Sequence, residues 1–512
     1  MENAENLFSA GDWAVLVLYL AATLLIGLWA SRGNGTFREY MIGGGTMPWV
    51  AVGVSLIATS VSATTFLGAP ADVFGADMTF LMFQFGALVS IFVVGALFIP
   101  RFAGSGATSA YGLLERTFSR PVRRLAAAFY ALHLLLRTGI LLFGPSLVLS
   151  AMLGVSVESA ILVTAVVAVF YTWHGGFKAV IWTDVMQFSV FFLGGILVLW
   201  IVAGRTGGWA EMAAAASAAG KTRWFVASLD PTDARTLLSA GVAYAFLEIA
   251  IRGCDQQFVQ RYLSCRDVRA ANRSSVLSMV LGVLVSVLFY WVGAALYVFY
   301  RVKGAAPLPE SVGINQVFPF FIVHALPAGV RGAIVAAIYA AAMSSLSGAI
   351  NSLANTAEND LLCSPEEDPG RLRRAKRWTA LWGALGVVAA FVAASQQGSL
   401  LKSALFFTGL FTGPLLGLFL FAFWRPKTRP SSLIAGLFGG MAALTLFTPP
   451  PFSWAWNPVL PRRSVCRAIL KRSSTWTFPA CTPAEKVPVT PAASSPPPST
   501  ASTALKRYDP HQ

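Results

Sequence analysis

The sequence has 512 residues, of which 56% are hydrophobic and only 12% are charged, and its formal net charge at pH 7 is +15. With a mean hydropathy of +0.64, this composition predicts a polytopic membrane protein and excludes a soluble multidomain chain. The basic excess does not indicate a nucleic-acid partner, because lysines and arginines concentrate in alternate connections between apolar segments. The five cysteines show no metal-ligand spacing.

Twelve apolar segments are long enough to be expected to cross the bilayer. The first has no basic segment before it and is therefore expected to be a retained span. Twenty of the 38 basic residues fall in connections on one side of the membrane and eight on the other. The positive-inside rule therefore predicts a protein of the cell inner (plasma) membrane whose amino terminus lies outside. The spans lie at roughly 12–31, 47–73, 79–99, 124–151, 157–173, 179–203, 235–257, 274–300, 329–361, 378–395, 401–423 and 431–448.

The span count predicts two groups of five helices in opposite orientation. Residues 1–46 are expected to hold an extra helix and a cytoplasmic loop, 47–203 the first inverted repeat, 204–234 an extracytoplasmic loop, 235–423 the second repeat and 424–448 an extra terminal span. The remainder, 449–512, is rich in Pro, Ser and Thr and is expected to be disordered. Its basic residues lie on the side that is otherwise poor in them, which suits an out-of-frame tail or a lost thirteenth span.

Two of these spans carry signs of a broken helix. The second, SLIATSVSATTFLGAP, is dense in hydroxyl and β-branched residues, which favours an unwound segment that lines a cavity. An intact helix with hydroxyls bonded to its own carbonyls is the alternative. In the seventh span Glu248 and Arg252 are four residues apart and can pair, while Gly253 interrupts the helix.

The ninth span contains AAAMSSLSGAINS, which places hydroxyl groups in the middle of an apolar helix. Ser344 and Ser345 present two neighbouring hydroxyls, and Ala341 lies one turn earlier with a carbonyl that could join them. These neutral, hard oxygens suit a releasable monovalent cation. The alternative is that the small residues only allow close helix packing and that the serines bond to their own helix.

Two charged residues lie inside other spans. Arg137 is near the middle of the fourth span, where its planar guanidinium could hold a substrate carboxylate, or could form a structural ion pair or reach the inner surface. Gln84, in the third span, could add an amide to the same cavity. Asp184, in the sixth span, either bonds to the ninth span or completes a second ion site with Ser344 and Ser347.

From about Trp13 to Phe447 the chain resembles the sodium:solute symporters. The resemblance rests on SLIATSVSATTFLG, GGFKAVIWTDVMQ, CDQQFVQRYL and AAMSSLSGAINSLAN, which follow one another in the family's order and spacing. It implies an all-α polytopic membrane protein with a leucine-transporter-like 5+5 inverted repeat, with one extra helix before this core and at least one after it. It also implies a sodium (Na+) site formed by the backbone oxygens of Ala58, Val61 and Ala341 with the hydroxyls of Ser344 and Ser345.

Within that family the binding-site pattern is similar to the sialic acid branch. The resemblance implies that Arg137 holds the sugar carboxylate and that polar residues hold its other substituents; these are Ser60, Ser62, Thr64, Thr65 and Gln84. Sugar-transporting members carry a Glu-Gln pair in place of Thr64 and Thr65, which makes an aldose a weaker expectation. The branch also implies a further sodium near Asp184, Ser344 and Ser347, although Gly348 replaces a hydroxyl residue there.

The sequence therefore predicts a sodium-driven symporter that imports a small organic anion, with N-acetylneuraminate first and a related carboxylate next. Its expected partners are this substrate, sodium and the lipid bilayer, and we expect a monomer that binds no nucleic acid. No nucleotide loop or catalytic constellation indicates an enzyme. The alternatives are a sodium-coupled symporter of a monocarboxylate, sugar or amino acid, and a transporter-like solute sensor.

Overall fold

The computed structural model describes residues 8–32, 35–228, 230, 235–365, 367–395 and 400–447. All of them belong to the compact unit Met1–Ser453, and the tail expected at 449–512 lies outside them. Within these ranges the regular secondary structure consists of helices, and one isolated bridge joins Met47 to Cys265.

The described part of the chain contains eighteen α-helices. In order they are α1 (Ala10–Ala30), α2 (Phe37–Ile42), α3 (Trp49–Ser60), α4 (Ala63–Gly75), α5 (Phe83–Val93), α6 (Ile99–Ser105), α7 (Gly112–Thr117), α8 (Arg120–Leu153), α9 (Val157–Arg205), α10 (Trp209–Ala218), α11 (Tyr244–Cys254), α12 (Gln256–Leu263), α13 (Val268–Tyr297), α14 (Val317–Ala325), α15 (Val330–Thr356), α16 (Arg371–Ala394), α17 (Leu400–Trp424) and α18 (Pro430–Phe447).

By length and composition, nine helical stretches within the described ranges could cross a membrane, and the bent pair α3 and α4 makes a tenth. The 49 residues of α9 contain both the fifth and the sixth predicted spans. They are divided at Gly176, whose φ of 54° is in the left-handed region and whose Cβ, if it had one, would lie 2.5 Å from the Tyr40 carbonyl oxygen. Together with the shorter α18, these helices account for the twelve predicted spans.

The second span is broken, as its hydroxyl content predicts, and the alternative of an intact helix is wrong. α3 ends at Ser60, Val61 and Ser62 have extended backbone conformations, and α4 begins at Ala63. The two halves are bent by 59° relative to each other. The break therefore leaves the last carbonyls of α3 without partners from a continuing helix.

The seventh span is also interrupted, but two residues after Gly253. α11 ends at Cys254, and Asp255 is extended with ψ of 124°. The Asp255 carboxylate then accepts a hydrogen bond of 2.8 Å from the backbone N–H of Gln257 and caps α12. Earlier in α11, Arg252 and Glu248 form the predicted ion pair at 2.6 Å.

The helix α15 lies at the centre of the fold and is buried along nearly its whole length. It packs against α9, α8 and α1. The Asp12 carboxylate of α1 accepts hydrogen bonds of 2.8 Å from the backbone N–H groups of Gly329 and Gly332 at the start of α15. The extra first helix is thus attached directly to the helix that carries the paired serines.

A buried lysine in the segment after α10 forms hydrogen bonds with the end of α4. The Lys221 ammonium donates to the carbonyl oxygens of Phe74 and Ala76 at 2.9 and 2.8 Å, and it lies 4.1 Å from the centre of the Tyr297 ring. Burial lowers the pKa of Lys221. These contacts hold the segment that follows α10 against the carboxyl end of α4.

Candidate functional site

The break in the second span lies against the middle of α15. The Ser344 hydroxyl oxygen is 3.0 Å from the Ala58 carbonyl oxygen and 3.2 Å from that of Ala341. Ser345 also donates to the Ala341 carbonyl, at 3.2 Å. Both serines are only 2% exposed, so their hydroxyls face the protein interior and not lipid.

A small cavity of about 10 Å³ is found at this contact, which is enough for about one water-sized particle. Its lining brings together four of the five residues expected to hold sodium, with one polar and two aromatic neighbours from α9. They are Ala58, Val61, Ala341 and Ser344, and then Gln187, Phe188 and Phe191. Neutral hydroxyl and carbonyl oxygens are hard donors, and the lining residues thus fit a small monovalent cation.

Asp184 forms a buried ion pair that the sequence did not reveal. Its Oδ2 accepts a hydrogen bond of 2.5 Å from Ser55 and one of 3.0 Å from Arg261, whose Nε also donates to Ser55 at 2.8 Å. The side chains of Arg261 and Asp184 are 1% and 0% exposed. Arg261 lies between the seventh and eighth predicted spans, in the buried helix α12.

Gly348 leaves room for that guanidinium. A Cβ at this position would be 3.1 Å from Arg261 Nη2 and 3.4 Å from the Thr59 hydroxyl. Ser347, expected to share an ion with Asp184, instead donates to the Ser344 carbonyl at 3.2 Å. The charge of Asp184 is accordingly met by an arginine from the second repeat.

Arg137 points towards the break in the seventh span. Its Nη1 is 3.8 Å from Asp255 Oδ2, which is within ion-pair range but too long for a hydrogen bond. Within the described part of the chain, neither of these two atoms has a hydrogen-bond partner. Asp255 Oδ1, by contrast, accepts a hydrogen bond of 2.9 Å from Tyr130.

The remaining residues expected to bind substrate fall into two groups. Ser60, Ser62 and Thr65 lie at or beside the break, where Ser60 donates to the Leu56 carbonyl at 2.9 Å. Thr64 belongs to α4, and its side chain lies outside the described residues. Gln84 donates to Ser286 at 2.8 Å, and no described hydrogen bond joins it to Arg137 or to the break.

The sequence model of the sodium:solute symporter family matches residues 40–440. The chain belongs to the sodium:solute symporter family. This symporter is a multi-pass membrane protein and not an enzyme, it couples transport of a small molecule to sodium, and its helices form the leucine-transporter-like 5+5 inverted repeat.

Curated relatives and a solved structure extend this result. The symporter is 32% identical to the sodium/sialic acid symporter SiaT of Proteus mirabilis over 68% of this chain and 71% of that protein. It is 30% identical to the sodium/sialic acid symporter NanT of Aliivibrio fischeri over 75% of this chain and 76% of that one. A substrate-bound, outward-open structure of a Na+-coupled sialic acid symporter matches with a TM-score of 0.78 and 29% identity, covering 87% of this chain and 93% of that chain.

Proposed function

We propose that this symporter imports N-acetylneuraminate or a closely related carboxylate together with sodium. The observation that carries the proposal is Arg137, an arginine inside a membrane helix whose Nη1 has no hydrogen-bond partner within the described residues. A guanidinium in such a position is expected to have a function, and its planar donors match a carboxylate. The likeness to two sialic acid symporters and to a solved one supports the same substrate.

The proposed sodium ligands are the backbone oxygens of Ala58, Val61 and Ala341 and the hydroxyls of Ser344 and Ser345. The distance of 3.0 Å between the Ser344 hydroxyl of α15 and the Ala58 carbonyl of α3 supports this set, as does the cavity that four of these residues line. Because the oxygens come from both helices, binding of the ion would favour the arrangement in which α15 and the broken span are in contact. Sodium and substrate then increase each other's affinity by the same factor, and uptake gains roughly 2.3 kcal/mol per charge for each 100 mV of membrane potential.

For the substrate, we assign the carboxylate to Arg137 and the polar substituents to Ser60, Ser62, Thr64, Thr65 and Gln84. A further sodium at Asp184, Ser344 and Ser347 has less support, since Arg261 already neutralises Asp184. We therefore propose one sodium, at the paired serines. We further propose that the protein acts as a monomer in the cell inner membrane with its amino terminus outside.

The sodium site is tested by the double substitution Ser344→Ala and Ser345→Ala in reconstituted vesicles. Sodium-dependent uptake of radiolabelled N-acetylneuraminate should be abolished, because both hydroxyl ligands are removed while the helix remains intact. Ser189→Ala is a matched control, since Ser189 is exposed and bonds only to its own helix. Uptake that is unchanged by the double substitution would refute the assignment.

The substrate class is tested by Arg137→Gln. Charge-assisted hydrogen bonds contribute about 1.5–3 kcal/mol, so the affinity for a carboxylate substrate should fall roughly 10- to 100-fold. The measurement is a thermal-shift titration in sodium chloride and in choline chloride, over N-acetylneuraminate, short monocarboxylates and neutral sugars. Equal affinity of the variant and the wild-type protein for every carboxylate would reject an anionic substrate.

A further inference from the structure

Gln187 is a polar residue at the proposed sodium site to which the sequence gave no role. It lies in α9, three residues after Asp184, and is 1% exposed. Its side chain lines the same cavity of about 10 Å³ as Ala58, Ala341 and Ser344. A third helix therefore contributes a polar side chain to the contact between the broken span and α15.

The Gln187 amide is buried, and in the described part of the chain no hydrogen bond of ordinary geometry reaches its Oε1 or its Nε2. Tyr19 and Tyr171 lie close to this amide, but the printed contacts of their hydroxyls are with Met343: Tyr171 donates to its carbonyl at 3.2 Å, and the Tyr19 hydroxyl lies 3.9 Å from its sulfur. Buried amides are rarely left without partners, so each such case requires an explanation.

A cation bound in the adjoining cavity would supply that explanation. An amide oxygen is a hard, neutral donor, like the backbone carbonyls of Ala58 and Val61, two residues that line the same space. It adds to the ion's coordination without adding charge, which preserves a site from which the ion can be released. The apolar rings of Phe188 and Phe191 complete the lining of the cavity.

We infer that the side-chain oxygen of Gln187 is a further sodium ligand of this symporter, so that α9 joins α3 and α15 in holding the ion. This inference rests on the sodium site proposed above. Gln187 and Asp184 lie one turn apart on α9. The same turn of this helix would therefore contact the ion through Gln187 and Arg261 through Asp184. The sixth predicted span then contributes a side chain to the sodium site.

The test is Gln187→Met in the full-length protein, which replaces the amide by an apolar side chain of similar length. In detergent, the sodium concentration that gives half of the maximal thermal stabilisation should rise about tenfold, as expected for loss of one ligand oxygen. Without sodium, the melting temperature should be unchanged or higher, because the variant removes a buried amide that has no partner. Gln187→Glu retains an oxygen at this position and should keep the sodium response.

A matched control is Gln316→Met, which removes an exposed amide at the start of α14 and should respond to sodium like the wild-type protein. A wild-type sodium response in Gln187→Met, or a lower melting temperature without sodium, would overturn the inference. The substitution Ser344→Ala separates the two levels of the argument. If it abolishes the response while Gln187→Met does not, only the role of Gln187 fails; if it preserves the response, the proposed sodium site fails and the inference fails with it.

Discussion

Replacing Arg261 with methionine should destabilise the protein strongly, because it leaves Asp184 buried without a counter-charge. The two side chains are almost completely inaccessible and 3.0 Å apart. Arg261 also donates to the Gln257 carbonyl at 2.9 Å and to Ser55 at 2.8 Å. Removing one member of such a pair costs about 3–5 kcal/mol. The double variant Asp184→Asn with Arg261→Met should recover much of this loss, since it leaves no buried charge.

The same variant asks whether a sodium ion can replace the guanidinium beside Asp184. Unfolding is measured in detergent, in sodium chloride and in choline chloride of equal ionic strength. Sodium should stabilise Arg261→Met more than the wild-type protein, by about 2.7 kcal/mol when its concentration is 100 times the dissociation constant. Arg120→Met, which removes one side of an exposed pair, should change stability little. The reasoning fails if Arg261→Met is as stable as the wild-type protein, or if the double variant is no more stable than the single one.

Three further predictions concern Lys221, Asp255 and Glu115. Lys221→Met should lower the free energy of unfolding by about 1.5–3 kcal/mol, because two charge-assisted hydrogen bonds to the end of α4 are lost. The control Lys303→Met, at an exposed ion pair, should change it by less than about 0.5 kcal/mol. Denaturant unfolding of both variants measures this difference. Asp255→Asn should strengthen binding of a carboxylate substrate about tenfold, because Arg137 loses the acidic group 3.8 Å away, and an unchanged dissociation constant would contradict this. A hydrogen bond from a neighbouring arginine lowers the pKa of Glu115 below 4.5. The ionised Glu115 therefore stabilises the fold fully above about pH 4.5, and this stabilisation is lost as the pH falls through the lowered pKa. Glu115→Gln should remove this part of the acid sensitivity when unfolding is measured between about pH 6 and pH 3.

The helices and the break in the second span could be predicted from the sequence because both follow from local composition. A membrane span needs a continuous apolar stretch, and hydroxyl groups at the density found before Thr65 are tolerable in hydrocarbon only where they are satisfied. The spans at 157–173 and 179–203 were predicted as separate helices, whereas the structure joins them in α9 with a turn at one residue, Gly176. Such a turn depends on contact with Tyr40, which is 136 positions earlier in the chain.

The candidate site was only partly predictable, for a similar reason. Ser344 and Ser345 were recognisable because two polar residues stand out in an apolar helix. The burial of Arg261 was not predictable because it lies among other basic residues, and its partner Asp184 is 77 positions away in the sequence. Gln187 gave no signal, since one amide in a long helix is ordinary until its surroundings show that it has no partner. These contacts depend on the packing of distant helices and not on local pattern.

The interruption between Ser60 and Ala63 places helix ends of opposite polarity within a few residues of each other. The carboxyl end of α3 carries a partial negative charge, and the amino end of α4 carries a partial positive charge, because the peptide dipoles of each half add along its axis. One end therefore attracts a cation and the other an anion. A single unwound segment can thus hold a cation and an anion at the same depth of the bilayer. Their mutual attraction then reduces the free-energy cost of placing each charge inside the membrane.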